Sequence, residues 1–344
     1  MNFASDNTTG AAPEIMAALE AASQGQTMPY GADEATGRLN ELFGDVFETE
    51  VSVYPVGTGT AANALALSVI APPFGAIYCH ESAHVAVDEC GAPEMYTGGA
   101  KMMPLAGEHG KIPAASLEAA LDAVPPGEVH HVVPAALSIT QQTECGTHYS
   151  VPEITALAEV AHGKDLAVHL DGARFANAVA ALGCAPADLT WRAGVDIMSF
   201  GATKNGAWAG EAVVVFKAAL GRELAHRRMR AGHLFSKMRF AAVQLEAYLT
   251  NDLWLNNARH ANQMAARLAE GLGAVPGVDL VHPVDGNQVF AAFPEPVLSG
   301  LLAEGYLFYQ VDTGGVAAVR LVTAFNTRAD DIEGFIATAG RYIV

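Results

Sequence analysis

Lys204 is one of six lysines in a chain of 344 residues, and it stands among glycine, alanine and a tryptophan in "FGATKNGAWAG", directly after the apolar run "VDIMSF". A lysine at the end of a buried strand loses the water that stabilises its ammonium form, so its pKa falls and the amine can form a Schiff base with a carbonyl. The competing reading is an exposed lysine in a small-residue loop, and its companions decide. Asp171 closes the run "DLAVHLD", where a carboxylate requires a cationic partner. Arg174, shortly after it, supplies one as an ion pair. A protonated pyridine nitrogen supplies another, because pyridoxal phosphate is a strong electron sink only while its ring nitrogen is held charged.

Two further stretches carry chemistry. In "VGTGTAANALALSVI" a glycine- and threonine-rich turn leads into a helix. Backbone N–H groups at a helix start attract anions, so Gly59, Thr60 and Ala61 are candidates to hold one phosphate, with simple capping by Thr58 or Thr60 as the alternative. The stretch is neither GxGxxG nor GxxxxGK[ST], which argues against a dinucleotide or a nucleoside triphosphate. His84, in "CHESAHVAVDECGA", follows the run "GAIYC", where an imidazole can stack on a ring. Asp88 is one helical turn further, spaced to orient it if the stretch is helical.

The elements that must position these residues alternate. Strand-like runs "EVSVYPV", "GAIYC", "VHHVVP", "DLAVHLD", "DIMSF" and "AVVVF" are interleaved with helical "AANALALSVIA", "VPEITALAEVAHG" and "FANAVAALG". That order predicts βαβ crossovers and a mainly parallel sheet with helices on both faces, whose functional residues gather beyond the strands' carboxyl ends. "FSKMRFAAVQLEAYLTNDLWLNNARHANQMAARLAEGLG" then reads as one or two long helices ending at Gly273. Beyond it, strand-like "VDLVHP", "NQVFAAF", "YLFYQVD" and "AVRLVTAF" alternate with helical "PEPVLSGLLAEG" and "TRADDIEGFIATAGRYI". The expected division is a large α/β domain over residues 1–245 and a small C-terminal α+β domain over residues 246–344.

Composition narrows the partners. With 37 acidic against 19 basic residues the net charge is −18, which repels a phosphate backbone, so no nucleic acid is expected. No apolar run is long enough for a membrane helix, and "MNFASDNTTG" has neither a basic n-region nor an apolar h-region. Cys79, Cys90, Cys145 and Cys184 lack metal-ligand spacing and read as reduced packing residues; the expectation is a cytoplasmic protein without a metal site.

Taken together, the sequence resembles the low-specificity L-threonine aldolases, within the β-eliminating lyase group of fold-type-I pyridoxal phosphate enzymes. The likeness runs nearly end to end through "SDN" at 5 to 7, "YGAD" at 30 to 33, "GTAAN" at 59 to 63, "AHVAVDECGA" at 83 to 92, "LDGARFANA" at 170 to 178, "SFGATKNGAWAGEAVVVF" at 199 to 216, "SKMRF" at 236 to 240 and "RLVTAFNT" at 320 to 327. The resemblance implies cleavage of L-threonine, L-allo-threonine or an analogue to glycine and an aldehyde. It implies pyridoxal 5'-phosphate as cofactor, with Lys204 as the Schiff-base lysine, Asp171 at the ring nitrogen and His84 over the ring. Gly59 and Thr60 would take the phosphate, and Ser5, Arg174 and Arg320 the substrate carboxylate, for which guanidinium is well shaped. His84, with Asp88 behind it, is the expected base for the β-hydroxyl proton. By the same likeness Arg239 reaches the phosphate region of a neighbouring subunit, implying a homo-oligomer, expected as a tetramer, with Tyr30 as a wall or cross-subunit contact.

One segment departs from the family pattern. Where many members have a histidine, this chain reads "SITQQTECG", with Gln141 at the matching position, and glutamine is no general base. The hydroxyl contact then falls to His130 or His131 upstream, or to His84. "TKN" in place of "SKG" resembles a bacterial branch that also acts on aryl analogues such as phenylserine. The alternatives are another reaction on this scaffold, β-elimination or transamination, and a non-catalytic oligomeric binding protein whose Lys, Asp and Arg form surface ion pairs.

Overall fold

Apolar residues along the central strands divide by parity between two layers. Leu137, Ile139, Val168, Leu170, Met198, Phe200, Ala212 and Val214 belong to one core cluster with Leu39, Phe43, Leu157 and Phe175. Ile197, Val213 and Val215 instead join Ala61, Leu65 and Leu224, and Ile77, Cys79 and Ala136 join Leu67 and Val85. A period of two with both sets buried requires a sheet covered on both faces. The computed structural model, which describes residues 1–313 and 315–343, has that architecture. Strands β1 (Ser52–Val56), β2 (Gly75–His80), β3 (Lys101–Leu105), β4 (Val133–Thr140), β5 (Ala167–Gly172), β6 (Ile197–Gly201) and β7 (Glu211–Val215) form one sheet in the order β1-β7-β6-β5-β4-β2-β3.

Neighbouring pairs from β3 through β6 are parallel, whereas β7 runs antiparallel to both β6 and β1. Two reversals restore direction, so β1 ends on the same edge of the sheet as β2, β4, β5 and β6. Two strands differ from the sequence reading. Most of "VHHVVP" lies before the strand, which begins at Val133 and continues through "AALSIT"; β3, "KMMPL", was not anticipated, and it is a half-exposed edge strand carrying a proline.

The second sheet is antiparallel, ordered β10-β11-β9-β8, from β8 (Asp279–Leu280), β9 (Gln288–Ala292), β10 (Tyr309–Thr313) and β11 (Val316–Val322). Leu268, Leu272, Val289, Leu321, Ile332 and Phe335 fill its core. The connector is two helices, Arg239–Leu249 and Leu253–Gly273, broken where Asn251 and Asp252 take φ of 53° and 55°. Phe3 also belongs to this core: its N–H donates to Leu307 O at 2.7 Å, and its carbonyl accepts from Val322 N at 2.8 Å. Its ring meets Phe335 edge-on at 5.1 Å. Burying such a side chain contributes about 1.5–3 kcal/mol, enough to hold the residues that follow it.

Candidate active site

The strand ends converge on one cavity, lined by Gly59, Thr60, Asn63, His84, Glu89, Thr140, Gln142, Glu144, Asp171, Ala173, Arg174 and Lys204, with about 400 Å³ of empty space. The structure therefore brings Lys204, Asp171, His84, Gly59, Thr60 and Arg174 together from four separate segments.

Close backbone approach makes the convergence possible. A Cβ on Gly172 would sit 2.6 Å from Ser199 O, and one on Gly201 2.8 Å from Ala173, so the turns after β5 and β6 touch only because both residues are glycine. Asn205 then anchors the Lys204 turn from below, its amide donating to Tyr248 Oη at 2.6 Å and Trp254 O at 2.8 Å. Those acceptors belong to the aromatic layer around Phe200. Gln244 Oε1 accepts from Trp208 N and Ala209 N, fixing the exit of the loop.

Burial holds the Lys204 ammonium below its usual pKa, and the Arg174 charge pushes the same way against Asp6, Asp171 and Glu211. The reading of Lys204 and Asp171 as surface ion-pair partners is thereby overturned. Asp171 is buried, and its oxygens accept from Asn63 Nδ2 at 2.8 Å and Ala173 N at 3.0 Å. Beneath it His169 bridges Ser138 and Ser199 at 2.9 and 3.1 Å; burial pushes this imidazole down to about 4, so it is a neutral strut.

At the phosphate-like end, Thr58 caps the helix Gly59–Ile70, its Oγ1 accepting from Ala61 N at 3.1 Å. Ala61 therefore has no N–H to offer an anion, which corrects that expectation. The N–H groups of Gly59 and Thr60 have no protein partner among the described residues, as is usual for the first turn of a helix. Glu211, unanticipated, lies beside this turn: its carboxylate accepts from Thr203 N at 3.3 Å, and burial pushes it up to about 7.

His84 is oriented by Glu89 and not by Asp88. The helix His84–Val87 is only four residues long, and Cys90 and Gly91 turn the chain with φ of 52° and 71°. The outcome is an exposed Asp88 and a buried Glu89, whose Oε1 meets His84 Nδ1 at 2.8 Å and accepts from Asn63 at 2.7 Å. The Glu89 hydrogen bond raises the imidazole pKa, overcoming its partial burial.

On the opposite wall Arg174 is clasped by Asp6, with Nε–Oδ2 at 2.7 Å and Nη2–Oδ1 at 3.1 Å. Burial alone would raise the Asp6 carboxyl, but Arg174 outweighs it and holds the group below the usual range. Asn287 adds a donor to Asp6 at 3.1 Å. Arg320 lies alongside, donating from Nη2 to Ala4 O at 3.3 Å and resting over the Tyr309 ring, while Nε is buried without a partner. Ser5, between them in sequence, accepts from Asn7 N at 3.1 Å as the cap of a short turn.

The turn after β4 holds further differences. Gln141 is fully buried, and its amide bonds Tyr149 N and O at 2.9 and 2.7 Å; Gln142 faces the cavity in its place. His130 is exposed, with Nδ1 4.0 Å from Glu128, and His131 lines a separate cleft with Phe74, Val133 and Lys164, so neither is among the residues lining the site. Tyr30 and Arg239 also lie outside the cavity of their own chain. Tyr30 is 55% exposed and bonded through its N–H to Ser236 O at 3.1 Å, and Arg239 donates to Ala22 O at 3.0 Å.

A beta-eliminating lyase family profile matches residues 2–295. The chain is 43% identical to the low specificity L-threonine aldolase of Pseudomonas aeruginosa over 332 residues, 96% of this chain and 94% of that one. It is 42% identical to the low specificity L-threonine aldolase of a Pseudomonas species over 91% of this chain and 90% of the relative. Among solved structures, a threonine aldolase of Leishmania major matches with a TM-score of 0.92 at 28% identity, covering 99% of this chain and 98% of that one. An aspartate aminotransferase of Rhodobacter sphaeroides, at 16% identity, TM-score 0.71 and 99% and 92% coverage, shares the fold alone. A lysine and an aspartate at adjoining strand ends, in a chain so close over its length to these relatives, lead to one conclusion: the chain belongs to the beta-eliminating lyases and, within them, to the low-specificity L-threonine aldolase family.

Proposed function

We propose that this lyase cleaves L-threonine, L-allo-threonine and related β-hydroxy-α-amino acids such as phenylserine to glycine and an aldehyde, with pyridoxal 5'-phosphate held in the cavity. The observation that carries the reading is the pairing of a desolvated Lys204 with a buried Asp171 across one cavity. The residues fit the group. Gly59 and Thr60 offer free N–H donors at a helix start, and Asp171 and His84 line the same cavity, where they would partner a ring nitrogen and cover a ring. Asn63 Oδ1, Glu89 Oε2 and Glu144 Oε2 are buried oxygens without partners on the same wall, as expected where a ligand completes the hydrogen bonding. When bound, the cofactor supplies an electron-withdrawing ring conjugated to the substrate's Cα.

The protein's own groups do the remainder. Lys204, with its ammonium form disfavoured by burial, supplies the amine that anchors the cofactor. Asp171 would supply the carboxylate partner of the ring nitrogen. Arg174 and Arg320 take the substrate carboxylate, with Ser5 beside them; because Asp6 clasps the Nε edge of Arg174, the outer edge of that guanidinium remains for the ligand. Fixing the carboxylate would select which bond at Cα is weakened, and cleavage requires that bond to be Cα–Cβ.

A second copy of the chain brings Tyr30 and Arg239 to the site from outside, which accounts for two residues of family motifs that face away from their own cavity. A homo-oligomer, a tetramer on family likeness, follows. Four unpaired cysteines suit a reducing, cytoplasmic setting, and no helix among the described residues is long and apolar enough to cross a membrane. The test is to reconstitute the protein with cofactor and supply threonine. A yellow protein that releases glycine and aldehyde is expected; a colourless one, or one releasing a keto acid and ammonia, overturns the reading.

A further inference from the structure

We infer that Glu144 accepts the β-hydroxyl proton of the substrate, the task for which no histidine is available in the turn after β4. The inference rests on the cofactor reading above and assigns a residue within it.

Glu144 lines the cavity together with Lys204, His84, Thr140 and Arg174. Its Oε1 is committed, accepting from His84 N at 2.8 Å and Thr140 Oγ1 at 3.0 Å. Its Oε2 is buried and has no partner. An ionised carboxylate has lone pairs on both oxygens, and leaving one buried without a donor is costly, so a hydroxyl presented to it is bound as well as deprotonated.

Each rival is otherwise engaged. Gln142 uses its whole amide: Oε1 meets His148 Nε2 at 3.2 Å, and Nε2 donates to Asn287 Oδ1 at 3.3 Å and Gln288 Oε1 at 3.1 Å. Burial pushes His148 down to about 4, so it stays neutral and holds that amide in place. His84 has Nδ1 on Glu89, and that bond makes the ring keep its proton to higher pH, the wrong direction for a base. Glu89 has an orphaned oxygen too, but its carboxylate is spent on the His84 ring through Nδ1 and on the Asn63 amide, whereas Glu144 takes only the backbone N–H of His84 and the Thr140 hydroxyl.

The groups facing Glu144 set when it is ionised. Burial is the largest influence, Asp171 adds like-charge repulsion, the His84 N–H and Thr140 bonds oppose both, and the carboxyl is pushed up to about 7. The other neighbours, Cys79, Cys145 and Tyr149, are themselves raised by burial and by this carboxylate, and so are neutral when it titrates. In the cleavage step the β-hydroxyl O–H bond breaks, its proton passes to Oε2 and its electron pair becomes the second bond of the aldehyde carbonyl. The Cα–Cβ bond breaks with its pair left on the glycine carbon, to which one proton returns before release.

The experiment compares two reactions of the holoenzyme: threonine cleavage, and exchange of the glycine α-hydrogen in D₂O, which involves no hydroxyl. In Glu144→Gln the visible cofactor band and glycine exchange are expected to persist, exchange within about threefold, while cleavage falls at least about a hundredfold, as for loss of a general base. The rising limb of the wild-type cleavage profile near pH 7 is expected to vanish. Cleavage retained within about tenfold, or cleavage and exchange falling together, overturns the assignment. Thr140→Val covers the case in which Glu144→Gln does not fold. Removing a donor to the ionised carboxylate must move the limb to higher pH, and an unmoved limb overturns the assignment. A wild-type protein without the band or the exchange defeats the cofactor reading itself, a result distinct from either.

Discussion

The two walls of the cavity are built differently. The wall bearing Lys204, Asp171, His84 and Gly59 consists of strand ends and the turns directly after them, supported by a sheet whose side chains are buried on both faces. The wall bearing Arg174, with Arg320 near it but outside the lining, is assembled from remote pieces. Asp6 reaches Arg174 and Asn287, and Ala4 reaches Arg320, contacts that join the first residues of the chain to its middle and its last quarter. A rigid sheet suits groups that must hold a reacting centre within a fraction of an ångström, whereas a hydrogen-bonded assembly suits recognition of a charged end common to all amino acids. The first wall should govern turnover and the second should govern affinity and alignment.

The sharpest way to break that division is Lys204→Ala. It removes the only amine among the described residues lining the cavity, and turnover should fall at least about a thousandfold with loss of the band shift on adding amine substrates, read by absorbance. Retained turnover above a few per cent would return the lysine to a structural role. Arg320→Ala should raise KM about ten- to a hundredfold, the range for losing a charge-assisted hydrogen bond, and lower kcat less. An unchanged KM in steady-state kinetics would move the carboxylate site off this wall.

A smaller effect distinguishes positioning from contact. Asp6→Asn keeps the shape but not the charge that clasps Arg174, so KM should rise about three- to tenfold through a less fixed guanidinium. The same pair ties stability to pH. Because Asp6 is held below its ordinary 3.8, it stabilises the fold above that value, and the contribution is lost as pH falls through the lower folded pKa. Acid unfolding of Asp6→Asn should therefore be less steep below pH 3.8 than that of the natural chain. The smallest effect falls on the other wall. Glu211 is raised from 4.5 to about 7, so the fold loses stability as pH climbs between those values. Glu211→Gln should remove that loss, raising the stability of the cofactor-free protein above pH 7 by at most about 3 kcal/mol in denaturant melts.

The same contrast explains what was legible beforehand. Lys204, Asp171, Gly59 and Thr60 follow apolar runs that could only be strands, and a parallel sheet delivers such positions to one edge. Residues fixed by side-chain direction were not legible. Asp88 has the helical spacing from His84, but the helix stops after one turn and Glu89 swings inward. Gln141 and Gln142 are adjacent, and only the backbone course after β4 turns the first toward Tyr149 and the second toward the cavity. Asn63 looks like any polar residue on an alanine-rich helix until its amide is seen to bridge Glu89 and Asp171. The shift of β4 has a similar origin: "AALSIT" has little β-branched character, yet it is a central strand, because burial between β2 and β5 outweighs local preference.

Phe3 lies between Leu307 and Val322, and the residues just after it hold Arg174 and Arg320, the proposed grip on the substrate's charged end. The beginning of the chain must therefore wait, during synthesis, for almost all the rest to be made before it finds its place. Deleting residues 1–6 should spare the yellow colour expected of the proposed cofactor yet blunt the proposed hold on the amino acid.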